Sequence, residues 1–481
     1  MRSRPHRSFP WHKGLGLLLQ LAAVLLVVFW VVVAVANATF HWLIVPRANE
    51  WRADVAQALS QALQAPVELD GLQAQGVGGV PTLRLMGLRV LDAQGAPALS
   101  LAQAEASLSA RSLLNLGFER LQVDGLSVHI ERDLSGVWRV GGVALPQDKD
   151  AASPWFMNWL FQQRLARIDG AAVTWRDHWW AAQQGLAQAP WLELHQVRAI
   201  LRNDGRRHRW RIDATPSIAP QQVWTWRADL RSPTLSRAVG DWRQWSGQLF
   251  AHAAGVDVGL LTQHVDARRW LGVDAASGQG DWRAWVDVQR GQALGVTNDW
   301  ALRGVQARLR PDLKPLALTH LGGRLTLYRP PQGWRVETHG LQFQTADGLR
   351  WPGGDVQWRW QAAKDQAVEN SQLTATELDL ATLAAVASRL PLPTAVLQPL
   401  QTLQPKGRVD SLQLNWQGPI EQPTHFQAKG VVRGLYLRPD ALPRQAKPGV
   451  LARPGVQGLD VRFEANEAGG QAQVGMQGGW W

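Results

Sequence analysis

Apolar and polar residues alternate along most of this chain with a period of two, beginning at Val67. Leu83 and Leu85, Leu88 and Val90, Leu121 and Val123, and Leu126, Val128 and Ile130 are each spaced by one polar residue. Strands with one buried and one wetted face have this pattern. Gly and Pro recur between the runs and few long helical stretches interrupt them, which predicts a mainly β body of antiparallel strands over 67–376 and again over 405–481.

Two stretches keep helical spacing instead. Within a linker over 37–66, Trp51, Val55, Leu59 and Leu63 fall at every fourth position, Ala58 and Ala62 share their stripe, and Pro66 ends the run. The polar side of this amphipathic helix is mixed in sign, unlike a membrane-surface helix, so it is expected to cap the domain that follows. A helical insertion is expected over 377–404: Leu380, Leu383, Ala387 and Leu390 are helically spaced, Pro391 and Pro393 break the run, and Val396, Leu400 and Leu403 resume it.

Gly14 to Ala36 follows neither period. It is 23 residues without a charge, and at ~1.5 Å per residue it would span about 34 Å, enough for a hydrocarbon core of ~30 Å. Arg2, Arg4, Arg7 and Lys13 precede it with no acid, which predicts a cytoplasmic N-terminus over 1–13, one transmembrane helix and an exported body. Ala34-Val35-Ala36 would serve as a signal cleavage site, but the apolar run exceeds the ~7 to 15 residues of a signal core, so an uncleaved membrane anchor is expected.

One hairpin pattern occurs twice: SVHIERDLSGVWRV at Ser127 to Val140 and RLTLYRPPQGWRV at Arg324 to Val336. Trp-Arg returns at Trp175, Trp210, Trp226, Trp242, Trp282 and Trp358. On a strand each such pair sets an indole on one face and a guanidinium on the other. The spacing is irregular, which excludes a propeller or leucine-rich array and fits one long sheet extended hairpin by hairpin. Leu126, Val128 and Ile130 share one strand face, which a second sheet would seal in a sandwich; in an open groove they would be its candidate lining, and a carboxylate at Val128 would reach water.

Composition narrows the functions. The chain has 481 residues, 19% of them charged, and no cysteine, which removes disulfides, thiolate metal sites and cysteine nucleophiles. Its formal charge of +11, with Arg and Trp interleaved, would suit a nucleic-acid binder. Export argues against that partner, and dispersed charge reads as a solvated surface or as a complement to anionic lipid headgroups.

Catalytic patterns are missing from the sequence. It contains no His-Glu-x-x-His, Gly-x-Ser-x-Gly, Ser-x-x-Lys or Walker loop, and its histidines are scattered singly. Asp177-His178 beside Trp179 and Trp180 has no special geometry if it lies on a strand, and Gly76-Val77-Gly78-Gly79 leads to Pro81 and not into a helix. A protein without enzymatic activity, metal or cofactor is expected.

The order of motifs resembles a known family. Ser107 to Leu114, Gly125 to Asp133 and Gly136 to Val140 look like the N-terminal module of AsmA-like proteins, in which paired strands follow one inner-membrane helix. Leu378 to Gly418 and Pro454 to Leu459 are similar to the YhdP family of large envelope proteins. The resemblance implies a periplasmic β-groove that moves phospholipid between membranes and maintains the outer-membrane barrier, with acyl chains as the bound partner. Members of that family are longer, and this chain stops at Gly478-Gly479-Trp480-Trp481 inside an unfinished sheet, so it is expected to be an N-terminal portion. The competing expectation is an anchored scaffold for envelope or outer-membrane protein assembly, with a solid sandwich core and no lipid.

Overall fold

The computed structural model describes residues 45–480 apart from 78–79, 93, 108–117, 145–154, 235–238, 265–274, 352, 363–368 and 440–454, together with Val31 and Thr39. The expected anchor, Gly14 to Ala36, lies outside these residues except for Val31. Among the described residues no helix is long and apolar enough to cross a membrane.

All strands among the described residues join one sheet of 23. From Leu165–Asp177 onward the sheet is a meander in which each new strand adds beside the one before it, through Leu192–Asp204, Arg207–Pro216, Trp224–Arg231, Ser246–Asp257, Ala275–Gln289, Gln292–Arg308, Leu316–Tyr328 and Gly333–Thr345. Asp355–Gln361, Asn370–Asp379, Lys406–Gln417, His425–Leu437, Val456–Asn466 and Gly469–Trp480 continue it. At ~4.8 Å per strand, its hydrogen-bonded width is on the order of 90 Å along the curve. The sheet therefore grows lengthwise by stacking strands, and local pairing suffices to build it.

One joint departs from the antiparallel expectation. Val67–Val77, Val80–Leu91 and Pro97–Ser107 form a meander, but the next two strands, Arg120–Asp124 and Ser127–Arg132, pair with Leu165–Asp177 in parallel. After Arg132 the chain makes a small hairpin, Trp138–Val140 with Val143–Ala144, and returns through the helix Trp155–Gln162 before Leu165. A parallel pair needs such a crossover, because the chain must travel back to the same end of the sheet.

The two ends of the strands differ. One carries helical insertions, His178–Gln183, Val258–Thr262, Leu380–Val386 and Thr394–Leu403; the other has short connections such as Asp204 to Arg207, Gln289 to Gln292 and Asn466 to Gly469. Asp177, Asp257 and Asp379 each end a strand and cap the following helix, accepting from the N–H of Trp180, Leu260 and Thr382 at 2.7, 3.0 and 2.7 Å. Asp177-His178 thus marks a strand-to-helix junction, where the sequence suggested plain strand.

The helix Arg52–Leu63 packs Val55, Ala56, Leu59 and Leu63 against Val67, Leu69, Leu72, Leu88 and Val90. Trp51, Ala58 and Ala62 are exposed, so the buried stripe is turned by one residue from the sequence expectation. Ser60 explains the rotation: its Oγ accepts from Val67 N at 2.9 Å, which requires that side chain to face the sheet.

Candidate functional site

Cross-strand registers place one row of apolar side chains across the whole sheet. It begins Ala74, Leu83, Ala106, Leu121, Ala166, Leu201, Trp210, Ala228, each directly opposite the next. It continues Leu249, Val286, Val296, Leu327, Val336, Trp358, Leu373, Leu414, Ala428, Ala465. Directly opposite residues point to the same side of a sheet, so this row is one apolar track. A neighbouring row through Leu72, Leu85, Ala104, Val123, Ile168, Ala199, Ile212, Trp226, Ala251 and Ala284 widens it.

The opposite face is polar. Its row through Arg84, Glu105, Gln122, Arg167, Ile200, Arg211 and Arg227 resumes, past Phe250 and Trp285, as Thr297, Thr326, Glu337, Gln357, Thr374, Gln413, Lys429 and Glu464. Many of its arginines are paired: Arg211 with Asp213 at 2.6 Å, Arg324 with Asp299 at 2.6 Å, and Arg207 with Asp229. The hydrogen-bonded guanidinium groups of Arg207 and Arg324 hold the Asp229 and Asp299 carboxyls below the usual carboxylate range. Exposed pairs like these, screened by water, contribute little to stability. Their main effect is to keep that face wet, while alternation sets the apolar residues on the other.

The Trp-Arg pairs divide as strand alternation requires at Trp210, Trp226 and Trp358, whose indoles lie in the apolar rows while Arg211, Arg227 and Arg359 lie opposite. Trp242 differs. It sits in the short 3-10 turn Trp242–Gln244 and is 52% exposed.

A line of bulges keeps the apolar side continuous. Gly255, Gly340 and Gly434 have φ of 59°, 57° and 61° and sit at register shifts. Their N–H groups donate to Oδ1 of Asp281, Asp355 and Asp460 on the next strand at 2.9, 2.8 and 2.9 Å. Gly87, Gly125, Gly170 and Gly304 share the same φ. Each extra residue flips strand parity, so Leu83 and Leu88, or Ala253 and Val256, face the same side although their spacing is not even. Bulges in line also bend the strands and curl the sheet.

Cover over the track is uneven. Ala74, Ala106, Ala166, Leu201 and Ala228 are buried, whereas from Leu249 to Ala465 no member of the row is, and Leu327 is 44% exposed. The helix Trp155–Gln162 closes the first part: Phe161 and Trp245 pack over Ala166, Leu201 and Ala228. All strands belong to the one sheet, so among the described residues no second sheet seals the remainder.

Of the residues named from sequence, Leu126 packs beside Ala171, Val197 and Ala214 on the apolar side. Val128 lies opposite Leu99 and Val173 and is only 7% exposed; Ile130, half-buried, lies opposite Trp175. The exposed Leu327 and the half-buried Val296, Val336 and Leu414 are not among the residues named from sequence, although Leu327 and Val336 lie in the repeated hairpin pattern Arg324 to Val336.

A polar cluster pins the covering helix. His208 is fully buried, stacks on Trp245 at 4.3 Å and shares a 2.8 Å hydrogen bond with Asn203, whose Nδ2 donates to the Gln163 carbonyl at 2.6 Å. Burial pushes the imidazole down from 6.5 to about 4. The unfolded chain therefore binds a proton near 6.5 that the folded chain refuses until about 4, so stability is unaffected above that window and falls as pH drops through it. The expected loss is about 3 kcal/mol. Equilibrium denaturation at several pH values checks this: His208→Phe should flatten the dependence in that window, and an unchanged slope would refute the assignment.

Among the described residues no three His, Asp or Glu side chains gather as a metal site would require. These features define a class: a single curled sheet, polar on one side, with a continuous apolar track that helices cover only in part. The model of the family described as YhdP protein matches residues 7–480, and the chain belongs to that family. No curated protein matches it.

Proposed function

We propose that the apolar track is a conduit for phospholipid acyl chains. In this reading the chain is held in the inner membrane by Gly14 to Ala36 with its N-terminus in the cytoplasm. The body works in the periplasm, moving phospholipid between membranes and so maintaining the outer-membrane barrier. It acts without catalysis or cofactor, and any outer-membrane partner would meet it along the same path.

The observation that carries this reading is the unbroken row from Ala74 to Ala465, of which no member beyond Ala228 is fully buried. An exposed apolar track in water is unfavourable, and each methylene of a lipid laid along it is worth about 0.8 kcal/mol. The wet rim leaves headgroups solvated. Family membership and the size of the sheet are compatible with this role.

The packed section beneath Phe161 and Trp245, with the buried clusters around Val256 and Leu302 and around Leu378 and Val409, favours a scaffold without lipid. Native mass spectrometry of the full chain released from membranes separates the two. A conduit is expected to carry phospholipid; a scaffold would emerge without it.

A further inference from the structure

We infer that the stretch of track between the helix Trp155–Gln162 and the helix Leu380–Val386 is a phospholipid docking site, with acyl chain on Leu327 and headgroup phosphate at Arg329. The inference rests on the conduit reading and specifies where along the track a lipid is held.

A cleft of about 300 Å³ lies here, lined by Ala293, Leu294, Val296, Leu327, Trp334 and Val336, with Arg329 at its edge. That volume is at the lower bound for small-molecule sites, enough for part of one chain. Leu327, 44% exposed, is the most open described member of the central row. Trp334 stands edge-on to Trp358 at 4.2 Å and stacks with Trp360 at 6.3 Å, giving the cleft a rigid aromatic wall.

Charge selects the occupant. Arg329 is exposed, and its backbone is fixed by an N–H donated to the Leu294 carbonyl at 2.7 Å. It makes no ion pair among the described residues, whereas neighbouring Arg335 is engaged by Glu337 at 3.2 Å. One unengaged guanidinium beside an apolar cleft suits an amphiphile with a single anionic group, and a guanidinium matches phosphate in a two-point contact. The position is at the end of the strands that carries the short connections such as Gln289 to Gln292.

The test places a photo-crosslinking residue at Leu327, or separately at Leu414, in the full chain and exposes it to phosphatidylglycerol vesicles. The site predicts lipid adducts at both positions, with Arg329→Glu lowering the yield at 327 by about two- to fivefold, the size of one partly exposed charge contact, and sparing 414. An unchanged yield at 327, or an equal fall at both positions, would overturn the role of Arg329. Adducts at 414 but not 327 would overturn the docking site and leave the conduit standing. Adducts at neither would remove both.

Discussion

An aspartate at Leu327 is expected to leave the protein folded and to strip the groove of lipid. Leu327 sits in the middle of the track between Val296 and Val336, and at 44% exposure a carboxylate there keeps contact with water. Folding thus loses little. A lipid chain lying over that position would have to desolvate the charge, which costs several kcal/mol, and the carboxylate would also draw the Arg329 guanidinium away from a headgroup. Since ~1.4 kcal/mol is a factor of ten, lipid occupancy should drop by more than about tenfold. Phospholipid per purified chain, together with the thermal midpoint, measures both halves. A variant that unfolds, or one that stays folded and keeps its lipid, would contradict the account.

The same substitution at Val128 should have the opposite outcome. Sequence alternation alone suggests that a carboxylate there reaches water, but Val128 is 7% exposed between Leu99 and Val173. An ionised group forced between those apolar side chains loses its hydration, and the expected cost is about 3 to 5 kcal/mol. Against a total stability of about 5 to 15 kcal/mol, that brings the domain to the edge of unfolding. Chemical denaturation should give a midpoint shift of that size, while a loss below about 1 kcal/mol would mean that the first strands are open too.

The difference between these two leucine-like positions explains what the sequence could and could not reveal. Period two announced the sheet, and even the bulges left a trace: the alternation passes from Leu83 and Leu85 to Leu88 and Val90 across Gly87, and from Leu121 and Val123 to Leu126 and Val128 across Gly125. Those breaks could be taken for separate strands, yet Val80–Leu91 is one. Pro391 and Pro393 lie between the helices Leu380–Val386 and Thr394–Leu403. Cover was not legible. Whether an apolar strand face is sealed depends on where the helix Trp155–Gln162 lands, and that is set by contacts such as Phe161 on Trp245, 84 positions apart in sequence. The parallel joint was hidden for the same reason, because it requires the crossover and leaves no mark on alternation. Trp242 misled because an isolated Trp-Arg pair does not distinguish a strand from a short turn.

The most direct measurement is a photo-crosslinking scan in living cells along two adjacent tracks of the sheet. One set of probes would replace Val286, Val296, Val336, Leu373 and Leu414 in the apolar row; the other would replace Thr297, Thr326, Gln357 and Gln413 on the polar face. Phospholipid adducts at the first set and none at the second are the result predicted for a conduit. Adducts at neither set, or at equal yield on both faces, would contradict it.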